Sequence, residues 1–170
     1  MAQRASAATP LRAASLRYFN VAGAGWDDLG DPTAFNLIPI VFGQLAHGAD
    51  PVVFGDDYPT PDGTGIRDYV HVLDLAEAHL SALSWTGKPG AGHEVFNIGT
   101  GVGSSVFEVI DEISRVTGHS ARPQIAPRRP GDPARVVADV SKATKALGWS
   151  ANRGLSEMVE SAWAAYQVTD

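Results

Sequence analysis

Two residues pose the chemical question. Arg129 and Asp132 stand three positions apart in Arg128-Arg129-Pro130-Gly131-Asp132. A guanidinium fork can grip two phosphate oxygens at once, and a carboxylate can accept hydrogen bonds from a vicinal diol. Together they suit the phosphates and the ribose of a nucleoside diphosphate. Each candidate also has an ordinary use. Asp132 lies between Gly131 and Pro133, a turn setting. Arg128 and Arg129 could be solvated loop charges, and Arg67 beside Asp68 could close an ion pair at a strand end. Asn20 favours a turn, while Phe54 and Tyr69 fall in β-leaning runs where aromatic rings usually pack into a core. His71 and His79 lack companions at metal-ligating spacing and read as structural, and Trp149 and Trp163 read as core.

Other chemistry is missing. Gly99-Thr100-Gly101-Val102-Gly103 lies between a strand-like and a helix-like run, but the third glycine of a dinucleotide fingerprint would fall at 104, which is Ser. It reads as a tight strand-to-helix turn. The residues four positions after the four tyrosines are Ala22, Asp62, Leu73 and Asp170, so no lysine is spaced to lower a phenol's pKa for general-base work. Cysteine is absent, which removes disulfides and thiol chemistry.

The elements that must position these residues follow from pattern. Ala14 to Phe19 reads as a strand closed by a turn at Asn20 and Gly23. Leu37, Ile40, Val41, Gln44 and Leu45 fall at helical spacing within 36–47, with Gly48 as a stop. Val52 to Phe54 is a short strand, and the Pro, Asp and Gly content of 55–65 forces a loop. Arg67 to Val72 reads as a strand, followed by a helix through Ala78, Leu80 and Leu83 that Asp74 can cap. Glu94 to Ile98 is another strand. Ser105 and Glu108 form a capping box for the next helix, which Gly118 ends. Two further helices are predicted, Ser141 to Leu147 with Asp139 as cap, and Leu155 to Tyr166 with Met158, Ala162 and Tyr166 on one face. Strands alternating with helices predict a parallel α/β arrangement in a single unit spanning 1–170.

Composition narrows the partners. The 170 residues are 44% apolar and 19% charged, as in ordinary globular proteins, and no internal repeat is visible. A net charge of −6 opposes binding to nucleic acid or anionic lipid. No apolar run approaches the roughly 20 residues of a membrane span. Met1 to Ala8 lacks the apolar core of a secretory signal, so a cytoplasmic location is expected.

Segment 54–79, from Phe54-Gly55-Asp56-Asp57 through Arg67-Asp68-Tyr69-Val70-His71-Val72 to His79, closely resembles a signature of UDP-galactose (UDP-glucose) 4-epimerases of the extended short-chain dehydrogenase/reductase family. Sugar-nucleotide dehydratases and decarboxylases share its Arg-Asp-aromatic part, but the Thr60 to Gly65 insertion favours the epimerase branch. Leu16 to Ala24, Arg128 to Asp132 and Ala138 to Trp149 resemble further stretches of the same family, so the likeness runs from about Leu16 to Tyr166.

The resemblance implies an α/β fold, namely the carboxy-terminal substrate domain of such an enzyme plus two strands, 14–20 and 94–99, belonging to a Rossmann sheet. It implies that Arg67 and Arg129 hold a diphosphate, that Asp132 holds the ribose, and that Asn20, Asn36 and Leu37 lie on the phosphate and sugar side. Val52 to Phe54 would border the uracil, with Tyr69 near the nucleotide and Val136 near the substituent on sugar C2. Tyr18 and Phe19 would face the nicotinamide of NAD. The implied partner is a UDP-sugar, and the complete family enzyme is expected to be a homodimer that uses NAD. The amino-terminal cofactor half and the Tyr-x-x-x-Lys base are absent from this sequence, so no catalytic residue, no NAD binding and no activity are expected of the chain alone. Strands 14–20 and 94–99 would lack neighbours and invite self-association. Two alternatives stand beside the epimerase reading: a UDP-sugar decarboxylase or dehydratase, and a non-catalytic nucleotide-binding module.

Overall fold

A computed structural model describes residues 11–31 and 35–169. The leader region considered above, Met1 to Ala8, lies outside them. Eight strands and five helices are described: β1 (Ala13–Tyr18), β2 (Asn20–Ala22), α1 (Leu37–Ala46), β3 (Val52–Phe54), β4 (Ile66–His71), α2 (Val72–Thr86), β5 (His93–Ile98), β6 (Gly103–Ser105), α3 (Val106–Thr117), β7 (Gln124–Ala126), β8 (Arg135–Val136), α4 (Ser141–Leu147) and α5 (Leu155–Thr169). The fold is α/β, and every strand pair is parallel except β4 with β6.

β4 organises the molecule. It pairs with β2, β6 and β8, and both of its faces are buried. Because successive strand side chains point to opposite faces, Tyr69 enters one core and Val70 another. The first core joins α1, α3 and α5 through Ile38, Phe42, Ile110, Ile113, Met158 and Val159. The second joins α2, β5 and α4 through Leu75, Ala78, Phe96, Ile98, Ala143 and Trp149. Fully burying an aliphatic or Phe side chain contributes about 1.5–3 kcal/mol, so either set outweighs any single surface contact.

The best-marked helix in the sequence has the ends expected of it. Glu108 N–H donates to Ser105 Oγ at 3.1 Å, Ser105 N–H donates to Glu108 Oε2 at 2.7 Å, and Gly118 closes α3 at φ 73°. Two expectations need correction. His71, not Asp74, caps α2, its ring accepting from Leu73 N–H at 3.1 Å. Asp74 lies in the first turn, fully buried, where it pairs with Arg153 and accepts the Arg153 N–H at 3.0 Å. An acid in a first turn looks the same in sequence whether it caps or pairs with a residue 79 positions away. On α1 the buried residues are Ile38, Val41, Phe42 and Leu45, with Leu37 partly buried against the same core. For α4 the residue before the first turn is Val140 and makes no side-chain cap, although Asp139 accepts the Ser141 N–H at 3.0 Å. β2, β6, β7 and β8, each two or three residues long, were not predicted.

Candidate nucleotide-binding cleft

An open cleft of about 450 Å³ lies between α1, β3, β4 and the segment before β8. It gathers nine of the residues singled out in the sequence: Asn20, Asn36, Leu37, Val52, Phe54, Arg67, Tyr69, Arg129 and Asp132. Strand register explains part of this. Asn20 and Tyr69 are direct partners across β2 and β4, so their side chains share a face. Burial pushes the Tyr69 pKa up, and the neighbouring Asn20 amide and Arg67 charge only partly offset this. The phenol is therefore a neutral hydrogen-bonding group rather than a base.

The two arginines are held differently. Arg67 donates to Asp132 Oδ1 at 3.2 Å and to its neighbour's Ile66 carbonyl at 2.9 Å. Gly65 leaves room for it, since a Cβ there would lie 3.3 Å from Arg67 Nη1. The sequence alternative of an Arg67–Asp68 pair is not what forms. Arg129 lies over the Phe54 ring with Cζ 3.9 Å from the centroid, a cation–π contact. Arg128, read above as solvated, packs over Tyr58 at 4.1 Å and pairs with Asp57 at 2.5 Å. That clamp ties the arginine segment to the 55–65 loop.

The loop has its own internal fastenings. Thr64 N–H donates to Asp62 Oδ1 at 2.9 Å, the Asp62 carboxylate accepts the Ser105 hydroxyl, and Thr64 Oγ1 accepts the Val106 N–H at 3.1 Å. Gly63 adopts φ 79°, and a Cβ there would fall 1.9 Å from the Asp56 carbonyl. The hydroxyl and backbone donors around Asp62 hold its carboxyl below the usual range, although burial works against them.

Asn36 precedes α1 with extended backbone and makes no side-chain cap bond, so its amide is left to the cleft. Asn36, Leu37 and Ile40 place the amino-terminal end of α1 on the cleft wall.

Three expected site residues lie elsewhere. Val136 does not line the cleft; it is half-buried in β8 opposite Arg67. Tyr18 ends β1 and Phe19 follows it, both outside this cleft and expected instead beside a nicotinamide, and the Tyr18 hydroxyl lies 3.3 Å from His79 Nε2. Conversely Phe35, Ile40, Gln44, Tyr58 and Val106 line the cleft without having been singled out. Ile40 and Gln44 follow Leu37 at i+3 and i+7 on α1, so a site residue at Leu37 implies them.

Comparisons with known proteins show the family. The family model of the NAD dependent epimerase/dehydratase family matches residues 1–99. A UDP-glucose 4-epimerase of Corynebacterium glutamicum is 47% identical over 164 residues, covering 94% of this chain and 49% of that protein. A solved UDP-glucose-4-epimerase of Stenotrophomonas maltophila, with bound NAD and formylated UDP-arabinopyranose, superposes with a TM-score of 0.89 at 41% identity, covering 98% of this chain and 51% of that one. A Bifidobacterium longum UDP-glucose 4-epimerase in complex with NAD+ and UDP gives 0.81 at 44% identity, covering 91% and 47%. The chain thus spans about half the length of the relatives it matches. With the family model spanning more than half of its residues and these likenesses extending over nearly all of it, the chain belongs to the NAD dependent epimerase/dehydratase family.

Proposed function

We propose that this chain is the carboxy-terminal, sugar-nucleotide-binding half of a UDP-hexose 4-epimerase, able to hold a uridine diphosphate but not to catalyse alone. The observation that carries this is the convergence of Arg67, Arg129 and Asp132 on one cleft with Phe54 at its wall and the amino-terminal turn of α1 at its edge. Two guanidinium groups suit paired phosphates. Asp132 suits a ribose diol, and Val52 to Phe54 offer apolar contact for a flat base. The acidic whole-chain charge of −6 argues that the phosphates are bound by this local arrangement and not by a general basic surface.

The described residues do not fit a dinucleotide in the same way. The one glycine-rich turn, Gly99 to Gly101, already directs the Thr100 and Gly101 N–H groups at the Asp68 carboxylate at 2.8 and 2.9 Å. Tyr18 and Phe19 could border a nicotinamide but would hold neither its phosphates nor its riboses. In a complete enzyme NAD would supply a reversible hydride acceptor for the sugar, and this chain's residues would bind and orient the nucleotide end of the substrate.

The test is calorimetry and product analysis on the purified 170-residue chain. UDP should bind, NAD should not, and UDP-glucose should not be converted to UDP-galactose. Turnover free of host enzyme, or no UDP binding at all, would overturn the proposal.

A further inference from the structure

Asp68 is fully buried, yet it takes no part in the cleft. It stands in β4 between Arg67 and Tyr69, both cleft residues, and points to the opposite face. Its carboxylate accepts the Thr100 N–H at 2.8 Å, the Thr100 hydroxyl at 2.7 Å, the Gly101 N–H at 2.9 Å and the Ala138 N–H at 3.0 Å. All four donors are neutral, and three of them are backbone. Such an arrangement is a backbone nest of the kind that elsewhere receives phosphate, filled here by an anion of the same chain.

Gly99 makes this approach possible, since a Cβ there would meet Asp68 Oδ2 at 2.6 Å and the Ala138 Cβ at 2.8 Å. Gly101 adds the positive φ of 76° that turns its N–H inward. The glycine turn that mimics a dinucleotide fingerprint in sequence thus has a different occupant.

Three chain segments meet at that carboxylate. One is β4, carrying Arg67 and Tyr69. The second is the turn between β5 and β6. The third is the strand exit at Ala138, two residues after β8 and six after Asp132. β8 is only two residues long, and its start is fixed by the Ile66 N–H bond to the Ala134 carbonyl at 2.8 Å. Its far end is fixed at Asp68. We infer that Asp68, seated in the Gly99–Gly101 nest, is a positioning residue that sets the Arg129–Asp132 segment against Arg67 for nucleotide binding. This rests on the proposed function for what binds, but not for the positioning itself.

The experiment compares Asp68→Asn and the milder Thr100→Val with Asp74→Asn, a carboxylate equally buried but in the first turn of α2 and fastened to Arg153. UDP affinity is measured by calorimetry well below each melting temperature, and amide exchange is followed over residues 129–138. Replacing the charged acceptor should weaken UDP binding roughly tenfold, and Thr100→Val should weaken it by a smaller factor. Asp74→Asn should leave affinity within about twofold even where its melting temperature falls as far, as expected for sites that share no partner. Exchange over 134–138 should rise in the Asp68 and Thr100 variants and not in the Asp74 variant. Unchanged UDP affinity with unchanged exchange, or equal effects from Asp74→Asn, would overturn the inference. If Asp68→Asn does not fold, Thr100→Val carries the same comparison. If the unmodified chain takes up no UDP, the proposed function falls and the exchange pattern alone decides the positioning role.

Discussion

Arg67 and Asp132 neutralise one another across the cleft at 3.2 Å, whereas Arg129 rests on the Phe54 ring and has no ion-pair partner among the described residues. The cation free to answer a phosphate is therefore Arg129. Arg129→Ala should weaken UDP binding by about 1.5–3 kcal/mol, the range for a charge-assisted hydrogen bond. Calorimetry on the two proteins checks this, and equal affinities would contradict it.

Arg128 should matter less and through its neighbour. Its pair with Asp57 is largely solvent-exposed, and such pairs contribute about 0–1 kcal/mol. Arg128→Ala should therefore weaken UDP binding only a few-fold at most, by loosening the segment that carries Arg129. A loss as large as that of Arg129→Ala would mean that Arg128 itself touches the ligand.

The Ser105 hydroxyl serves two elements at once, capping α3 and donating to Asp62 in the loop beside the cleft. Loss of an N-cap side chain costs about 0.5–2 kcal/mol, and Ser105→Ala should fall at the upper end because the Asp62 contact goes with it. Urea unfolding measures the cost. Ser105→Thr, which retains a hydroxyl, should recover most of it.

His71 gives the fold a pH dependence whose sign follows from its contacts. Its Nδ1 accepts the Leu73 N–H, so the ring proton sits on Nε2 and can donate to Ser161 Oγ at 3.0 Å. Burial, and next the nearby Arg153 charge, hold its pKa below the ordinary 6.5. Between that lowered value and 6.5 the unfolded chain binds the extra proton and the folded chain does not, so stability rises with pH across the window. The contribution is complete above 6.5 and is lost as pH falls toward the folded value. Melting temperatures should drop on acidification from pH 7.5 to 5, and His71→Asn, a cap that does not titrate, should show a shallower slope. An identical slope would assign the effect to other groups.

Among the described residues β1 pairs only with β5. Ala13 and Phe19 donate toward β5 at 2.8 and 3.1 Å, so the alternate N–H groups of Ala14, Leu16 and Tyr18 point to the open edge. Concentration-dependent association should be visible by sedimentation, and Ala14→Pro, which removes an outward donor without breaking the β5 ladder, should reduce it. A chain that stays monomeric at high concentration would rule out this edge as a contact.

The parts legible in the sequence were those with local causes. The Ser105–Glu108 box and Gly118 declare α3 within 14 residues, and the density of Pro, Asp and Gly in 55–65 leaves no regular alternative. Nine cleft residues were named through the family resemblance, although only Phe54, Arg67 and Tyr69 fall within segment 54–79. Hidden parts depended on partners distant in the chain. Arg128 looked solvated because Asp57 and Tyr58 lie about 70 positions away, and Asp74 looked like a cap because Arg153 lies 79 away. Strands of two or three residues carry too little alternation to be seen; β2, β6 and β8 form here because β4 supplies a ready edge, and β7 because β3 does.

The placement of Tyr69 and Val70 on opposite faces of β4 has a mechanical consequence. The strand is a common wall of two rooms, and neither core can melt without baring the other. The molecule should therefore unfold in a single step instead of shedding one half first, and a nucleotide held at Arg67 on this wall would raise the melting point of the distant Trp149 side as much as that of its own.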